Sequence, residues 1–230
     1  MNGETRVLTS VEAVRQSFFV RVYGWMTLAL CLTGLSAAYV LKSPRLLMAL
    51  SDRNFFIGLL LGELAIVLIL SAAIGKISAT AATIGFLVYA VVNGLAFSVL
   101  FLVYTASSIA SAFFVCAAVF GGMCLYGHLT KRDLTSLGSL LVMGLFGLVV
   151  ASLVNLFLNN SLVSWVTTYA GLFIFIGLTA YDAQRLKTMA AAEAEGEEIA
   201  RKAAVIGALA LYLDFINLFL RLLRLLGKKR

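Results

Sequence analysis

Residues 203–226 form an apolar run that carries an acidic residue, and this run constrains the fold of the chain more than any other stretch. A helix of about 20 apolar residues crosses a bilayer, so the run is long enough to span. Asp214 lies near its middle. The residues on the same narrow helix face are Ala203, Gly207, Ala210, Asp214, Asn217 and Arg221. Placing a carboxylate against lipid costs about 2.5 kcal/mol or more. We therefore expect this face to contact other helices or a water-filled cavity.

The composition is typical of a polytopic membrane protein. The 230 residues are 62% hydrophobic and 13% charged, with a single proline, whereas soluble domains are about half apolar and about one quarter charged. A net charge of +7 would suggest a nucleic-acid partner in a soluble protein. Here Lys and Arg lie mostly at the ends of apolar runs, and no base-stacking or phosphate-binding motif accompanies them. We expect the lipid bilayer, and not nucleic acid, as the partner of this chain.

The apolar runs predict an all-α membrane protein of seven transmembrane helices, with the last helix central in the bundle. A polar, amphipathic segment at residues 1–17 precedes one seven-helix domain at residues 18–230. The charged stretches at 42–54 and 187–202 are predicted to be loops. The predicted spans cover about residues 18–41, 55–74, 80–104, 109–126, 137–158, 162–186 and 203–226.

The distribution of Lys and Arg favours a cytoplasmic N-terminus. With that orientation the inner segments hold a small majority of the basic residues, as expected for cytoplasmic loops. Seven crossings would place the basic C-terminal end outside, against the usual preference for basic residues in the cytoplasm. An alternative is therefore a last helix that enters the membrane and returns to the same side. We favour seven crossings, in an integral membrane protein.

Three acidic residues, Glu63, Asp182 and Asp214, lie inside the predicted spans. Ionisable residues in a membrane are functional candidates by default, and the alternative is that they only join helices through hydrogen bonds or ion pairs. Tilted helices would let Asp182 and Asp214 approach each other and share a proton, which makes the pair a candidate pH sensor. Lys76 lies near the same boundary as Asp182 and is a candidate ion-pair partner for it.

A line of carboxylates also suits a permeating hard cation such as Ca²⁺, which takes oxygen ligands. On this hypothesis Glu63, Asp214 and Asn217 lie along the ion pathway, and Asp182, Asp214 and Glu63 contact Ca²⁺ transiently. No bound cofactor is expected. Asn93, Asn155 and Arg221 are weaker candidates. The two asparagines are more often hydrogen-bonding groups between helices, and Arg221 is expected to extend its charge toward the outer interface.

Enzymatic activity is not expected for this chain. The sequence contains no Ser-His-Asp set, HExxH, GxSxG, Walker A or GxGxxG motif in a usable context. The three cysteines lie within apolar runs and show no metal-ligand spacing.

Several motifs resemble the Bax inhibitor-1 family, also called the transmembrane Bax inhibitor motif family. The segment LYLDFINLFLRLL at 211–223 closely resembles the signature of that family's last helix. YDAQ at 181–184 resembles the end of its sixth helix, and KRDLTSL at 131–137 resembles the loop between its fourth and fifth helices. Asn155 and Glu63 also fall where the family pattern has them. The resemblance covers about residues 18–227, and the short loops are similar to the bacterial branch. The resemblance therefore implies an integral protein of a bacterial inner membrane.

The resemblance implies a seven-helix fold and a pH-dependent calcium leak gated by two aspartates, which here would be Asp182 and Asp214. Bacterial relatives have an arginine latch at the inner end of the second helix. Lys76 is the nearest candidate here, and a lysine lacks the two-pronged geometry of arginine.

Three hypotheses follow for the function. The first is a pH-sensitive Ca²⁺ leak channel. The second is a non-transporting modulator that binds another membrane protein, such as a protease or a stress or secretion partner. The third is a proton-coupled cation exchanger that uses the same carboxylates.

Overall fold

A computed structural model describes the backbone of residues 2–230 and the side chains of residues 15–230 except Ala194. Over this range the chain is almost entirely helical and forms no β-strand. The helices are α1 (Asn2–Leu41), α2 (Pro44–Ser51), α3 (Arg53–Ala73), α4 (Ala79–Val103), α5 (Ala106–Leu129), α6 (Thr135–Leu158), α7 (Ser161–Met189) and α8 (Glu197–Leu226), with a 3-10 helix at Ala190–Glu195.

Seven of the described helices are long and apolar enough to cross a membrane, namely α1 from Arg15 onward and α3 to α8. The predicted all-α membrane fold with seven spans is confirmed. Among these spans α8 is the most enclosed, because 72% of its most apolar stretch is buried, against 39% or less in the others. The central position predicted for the last helix in the bundle stays a prediction.

Both predicted loops contain helix that the hydropathy pattern did not indicate. Residues 42–54 include α2, which begins at Pro44, since proline is favoured at the first helical position. Asp52 then caps α3 by accepting a hydrogen bond from the Phe55 N–H at 2.8 Å. The predicted loop at 187–202 was wrong for most of its length. It consists of the end of α7, the 3-10 helix and the start of α8, interrupted at Gly196, where φ is +120°.

The predicted N-terminal segment at residues 1–17 is, from Asn2 onward, continuous with the helix that forms the first span. Its expected polar or amphipathic character depends on side chains that, up to residue 14, lie outside the described residues.

The chain divides into two compact units. The first unit consists of the residues up to Val103 together with Met189–Leu209, and the second consists of Tyr104–Thr188 and Ala210–Arg230. The division falls within α8, so this helix contributes its first part to one unit and its second part to the other.

In the first unit, α1 and α4 pack closely through small and polar residues. Thr33 Oγ1 donates a hydrogen bond to the Ala90 carbonyl at 2.9 Å, and Ser36 Oγ donates to the Val91 carbonyl at 2.8 Å. Gly94 permits this approach, because a Cβ there would collide with the Thr33 backbone. Small residues of this kind let membrane helices come into backbone contact.

Two glutamates of the 187–202 segment anchor it within the first unit. Glu193 forms an ion pair with Arg21 of α1 at 2.8 Å. Glu198 accepts a hydrogen bond of 2.6 Å from the N–H of Ala79 at the start of α4. These two interactions attach the connection between α7 and α8 to α1 and α4, so part of its charge has a structural role.

In the second unit, α5 to α7 pack with the second part of α8. The rings of Phe113 and Phe120 on α5 make edge contacts with Phe215 on α8, at centroid distances of 5.5 and 5.3 Å. On α7, Ala180 meets Gly127 of α5, and Tyr181 meets Gly138 of α6, so closely that neither glycine has room for a Cβ. These contacts set the rotation of α7 and α8, and with it the direction in which their acidic residues point.

Candidate functional site

Asp214 lies within α8 in the second unit, and its side chain is only 4% exposed. Its Oδ2 atom has no hydrogen-bond partner among the described residues. Buried carboxyl oxygens are normally hydrogen-bonded, so an unpaired one is uncommon and marks a candidate functional group. The sheltered position predicted for this residue is observed.

Asp182 lies on α7, near the cytoplasmic end expected for that helix, and is partly buried. Its carboxyl group lies close enough to that of Asp214 for the two groups to interact electrostatically. An ionised carboxylate only accepts hydrogen bonds, so a bond between two carboxyl groups requires a proton on one of them. The two aspartates singled out in the sequence thus lie close together, in a geometry that suits proton sharing. Their role as a gate stays a prediction.

The surroundings of Asp214 on α8 are apolar. The neighbouring Phe215 contacts Phe113 and Phe120, and Tyr212 is fully buried. The Cys116 thiol of α5 donates a weak hydrogen bond of 3.5 Å to the Phe215 carbonyl. Such packing excludes water from this part of α8, which strengthens electrostatic interactions between groups held there.

Asp182 also has a cationic neighbour that the sequence analysis missed. Arg185, three residues further along α7, interacts electrostatically with Asp182. Residues three apart are neighbours on a helix surface, so the spacing alone was a usable signal. The Arg185 side chain is exposed, so it is accessible at the same end of α7.

Gln184, the last residue of the YDAQ motif, holds the loop between α5 and α6 against α7. Its Oε1 accepts a hydrogen bond of 2.8 Å from the N–H of Leu134, and its Nε2 donates one of 2.8 Å to the Arg132 carbonyl. The motif was visible in the sequence, but this function of the glutamine was not predicted. Gln184 thus connects the YDAQ and KRDLTSL segments, which both carry the family resemblance.

A cavity of about 480 Å³ lies where this loop meets α7. Its lining includes Tyr181, Gln184 and Arg185, which surround Asp182 along the helix, together with Lys131 and Asp133 of the loop. The cavity therefore adjoins the helix turn that carries Asp182.

Asp133 lies two residues before the start of α6, at the edge of this cavity. Its Oδ1 accepts hydrogen bonds from the Thr135 hydroxyl at 2.6 Å and the Thr135 N–H at 2.9 Å. These hydrogen bonds hold the pKa of the Asp133 carboxyl below its usual range. Asp133 therefore remains ionised at neutral pH.

The other predicted pathway residues on α8 lie beyond Asp214. Asn217 is partly buried and donates a hydrogen bond of 2.9 Å to the Leu213 carbonyl one turn earlier. Arg221, one turn further on, is also partly buried and packs against Gly171 of α7. Asn155 accepts a hydrogen bond of 3.0 Å from the Asn160 N–H at the end of α6, so it shapes the turn between α6 and α7.

The remaining predicted residues belong to the first unit. Glu63 on α3 is partly buried, and its Oε1 has no hydrogen-bond partner among the described residues. Lys76 is exposed in the turn that follows α3, and its role as a latch stays a prediction. Asn93 on α4 is 3% exposed, which fits a group that joins helices.

A fixed metal centre is not present in the described part of the chain. No group of three or more His, Cys, Asp or Glu side chains converges there in a way that would hold an ion. Transient contact of Ca²⁺ with Asp182, Asp214 and Glu63 does not require such a centre, and it stays a prediction.

Comparison with known proteins agrees with the motifs and the fold. The family model described as "Inhibitor of apoptosis-promoting Bax1" matches residues 15–230. The chain is 48% identical over 223 residues to the inner membrane protein YbhL of Escherichia coli K12, covering 94% of this chain and 93% of that protein. It is 43% identical over 219 residues to an uncharacterized protein of Rickettsia prowazekii, covering 95% and 92% of the two chains.

A more distant relative is an uncharacterized membrane protein of Streptococcus pyogenes, 34% identical over 228 residues, with 96% of this chain and 97% of that protein covered. The matches extend over nearly the full length of each protein, so they include all seven candidate spans. This chain is therefore an integral membrane protein that belongs to the Bax inhibitor-1 family.

Proposed function

We propose that this protein is a pH-sensitive Ca²⁺ leak channel of a bacterial inner membrane, in which Asp182 and Asp214 form the gate by sharing a proton. The observation that carries the proposal is the proximity of the carboxyl groups of these two residues within the second unit, one of which is almost fully buried. The family membership and the inner-membrane name of one relative support the location.

The physical basis of the gate is the change in charge at the contact between α7 and α8. With one proton shared, a hydrogen bond joins the two helices. After that proton leaves, two negative charges about 4 Å apart repel each other by about 4 kcal/mol at an effective dielectric constant near 20. That is enough to shift a two-state equilibrium by about a thousandfold. Loss of the proton would therefore separate the helices at this point.

The same carboxylates supply oxygen ligands for the permeating ion. Ca²⁺ is a hard cation and takes carboxylate and amide oxygens, which Asp214, Asn217 and Glu63 offer. The ion is the cargo of the protein and not a resident cofactor. The cavity of about 480 Å³ beside the Asp182 turn would then be the cytoplasmic entrance, in the orientation with a cytoplasmic N-terminus.

Two cations are candidates for holding Asp182 in the ionised state. Lys76 is the proposed latch, by analogy with the arginine of bacterial relatives. Arg185 competes with it, because it already acts on Asp182 from the same helix. Arg185 is exposed on the same helix as Asp182, so its guanidinium is accessible to a titrating carboxylate at the entrance.

The test is Ca²⁺ flux into liposomes that contain the purified protein and a calcium dye, measured at several pH values. Asparagine mimics a permanently protonated aspartate, so Asp182→Asn and Asp214→Asn should each show a flux that no longer changes with pH. Asp52→Asn is the matched control, since this exposed carboxylate lies outside the pair and does not line the proposed entrance. Unchanged flux and unchanged pH dependence in both pair variants would contradict the proposal.

Flux measurements on the same liposomes also distinguish the channel from the two alternative functions. A proton-coupled exchanger would show Ca²⁺ flux that depends on an opposing proton gradient. A non-transporting modulator would show no flux at any pH and a stable crosslinked partner in the membrane.

A further inference from the structure

A second cavity in the second unit contains two arginines and no acidic residue. Its volume is about 490 Å³, and Arg221 and Arg224 of α8 line it together with hydroxyl and amide side chains of α6, α7 and the turn between them. Within the described residues neither arginine forms an ion pair with an acidic group; the ion pairs found there join Arg21 to Glu193 and Lys202 to Glu198. The cavity therefore carries concentrated positive charge without a counter-charge.

The structure makes room for the guanidinium of Arg221. It lies over Gly171 of α7, where an added Cβ would come within 2.8 Å of the Arg221 Nε. Arg224, three residues further on, donates a hydrogen bond to the Ser164 hydroxyl. Residues three apart share a helix face, so the two positive charges are held close together. Arg221 is partly buried and Arg224 is exposed, and an anion bound between them would relieve the repulsion of their two positive charges.

The start of α7 adds to the positive potential of the cavity. Asn160 and Ser161, the residues at that helix terminus, line it. The Asn160 side chain already accepts hydrogen bonds from the N–H groups of Leu162 and Val163, so the contribution of the terminus is mainly the positive end of the helix dipole. The arginines therefore remain the main donors available to a ligand.

We propose that this cavity binds a phosphate-bearing anion, contacted by Arg221 and Arg224. The planar guanidinium group donates two parallel hydrogen bonds to phosphate oxygens, and the surrounding hydroxyl and amide groups, including Ser164 and Asn155, can satisfy further oxygens. The volume accommodates a group the size of a phosphoglycerol headgroup. Basic cavities between membrane helices bind acidic lipid headgroups in this way. Soluble phosphate offers the same oxygens, so the two sources must be separated by experiment.

The experiment measures the thermal unfolding midpoint of the full-length protein in detergent as each probe is added. The probes are phosphatidylglycerol, phosphatidylcholine with the same acyl chains, and inorganic phosphate against chloride at equal ionic strength. A ligand that binds only the folded state raises the midpoint with its concentration. Greater stabilisation by phosphatidylglycerol than by phosphatidylcholine, with no effect of phosphate, identifies a lipid headgroup. Stabilisation by inorganic phosphate identifies a soluble anion.

Amino-acid substitutions test whether the ligand-induced stabilisation arises at this cavity. Arg221→Gln and Arg224→Gln should each weaken the apparent affinity at least tenfold. Gly171→Ala retains both charges but displaces the Arg221 guanidinium, so it should also weaken binding, even if a charge-removing variant folds poorly. Arg53→Gln is the control: this exposed arginine begins α3, does not line the cavity, and should leave the affinity unchanged.

Two results would overturn the proposal. One is equal stabilisation by phosphatidylglycerol and phosphatidylcholine together with no effect of phosphate. The other is an anion effect that Arg221→Gln, Arg224→Gln and Gly171→Ala all retain in full. The measurement needs no ion flux, so its outcome is independent of the channel proposal.

Discussion

The side chain of Gln184 accepts a hydrogen bond of 2.8 Å from the backbone N–H of Leu134, and so joins α7 to the loop that precedes α6. The same side chain donates to the Arg132 carbonyl. Gln184 lies two residues after Asp182 on α7, so this attachment holds the end of the helix that positions the aspartate. The YDAQ and KRDLTSL segments are therefore linked physically as well as by family resemblance.

Replacing Gln184 with leucine should destabilise the protein by about 1–3 kcal/mol, because the Leu134 N–H and Arg132 carbonyl lose their partner in a partly buried site. The measurement is the unfolding free energy in detergent micelles. Thr188→Ala, an exposed change one turn later on α7, should shift that free energy by less than about 0.5 kcal/mol. Equal effects of the two variants would show that the loop attachment contributes nothing to stability.

The contact between Asp182 and Asp214 predicts energetic coupling that is independent of transport. Residues in direct contact show interaction energies of about 0.5–3 kcal/mol in double-mutant cycles. We expect such a value for Asp182→Asn combined with Asp214→Asn at neutral pH, measured by unfolding. The proposed sharing of a proton between the aspartates predicts that this coupling also changes with pH. Additive effects of the two substitutions at every pH would exclude the contact.

Gly138 lies against the Tyr181 ring, so Gly138→Ala should displace the residue that precedes Asp182. We expect a loss of about 1–3 kcal/mol in unfolding free energy, as for other overpacked sites. Gly147, on the same helix, has open space around it. Gly147→Ala should be neutral or stabilising by up to about 1 kcal/mol, since alanine favours the helix more than glycine does. If both alanines are tolerated equally, the close packing of α6 on α7 is incorrect.

The pH dependence of stability at the acidic end should include a contribution from Asp133. Its pKa is lower in the folded protein than in the unfolded chain, where it is about 3.9. The stabilisation is therefore present above about pH 4 and is lost as the pH falls through the lower, folded value. In Asp133→Asn the melting temperature should fall less steeply below about pH 4 than in the unchanged protein. The pH dependence of the melting temperature near pH 7 should stay the same. A changed pH dependence near neutrality would assign Asp133 a part in the gate.

The sequence was sufficient to predict the helical membrane fold and the seven spans, because apolar length and the cost of burying charge in lipid are properties of short segments. It also identified Asp214 as sheltered, since a carboxylate in the middle of an apolar helix has few stable environments. It failed at 42–54 and 187–202, where polar composition suggested loops. There proline placement and the anchoring of Glu193 and Glu198 within the first unit produce helix instead.

Only the tertiary structure decided which side chains meet. Asp182 and Asp214 are far apart in the chain, and their contact depends on helix rotations set by the close packing of Gly127 and Gly138 against α7. Hydropathy carries little information about these rotations, because most of the surface of each helix is apolar. The two arginines of α8 likewise belong to one cavity only because α6 and α7 surround them with polar groups. The chain thus specifies locally what enters the membrane, while packing between helices determines which of its charged groups face one another.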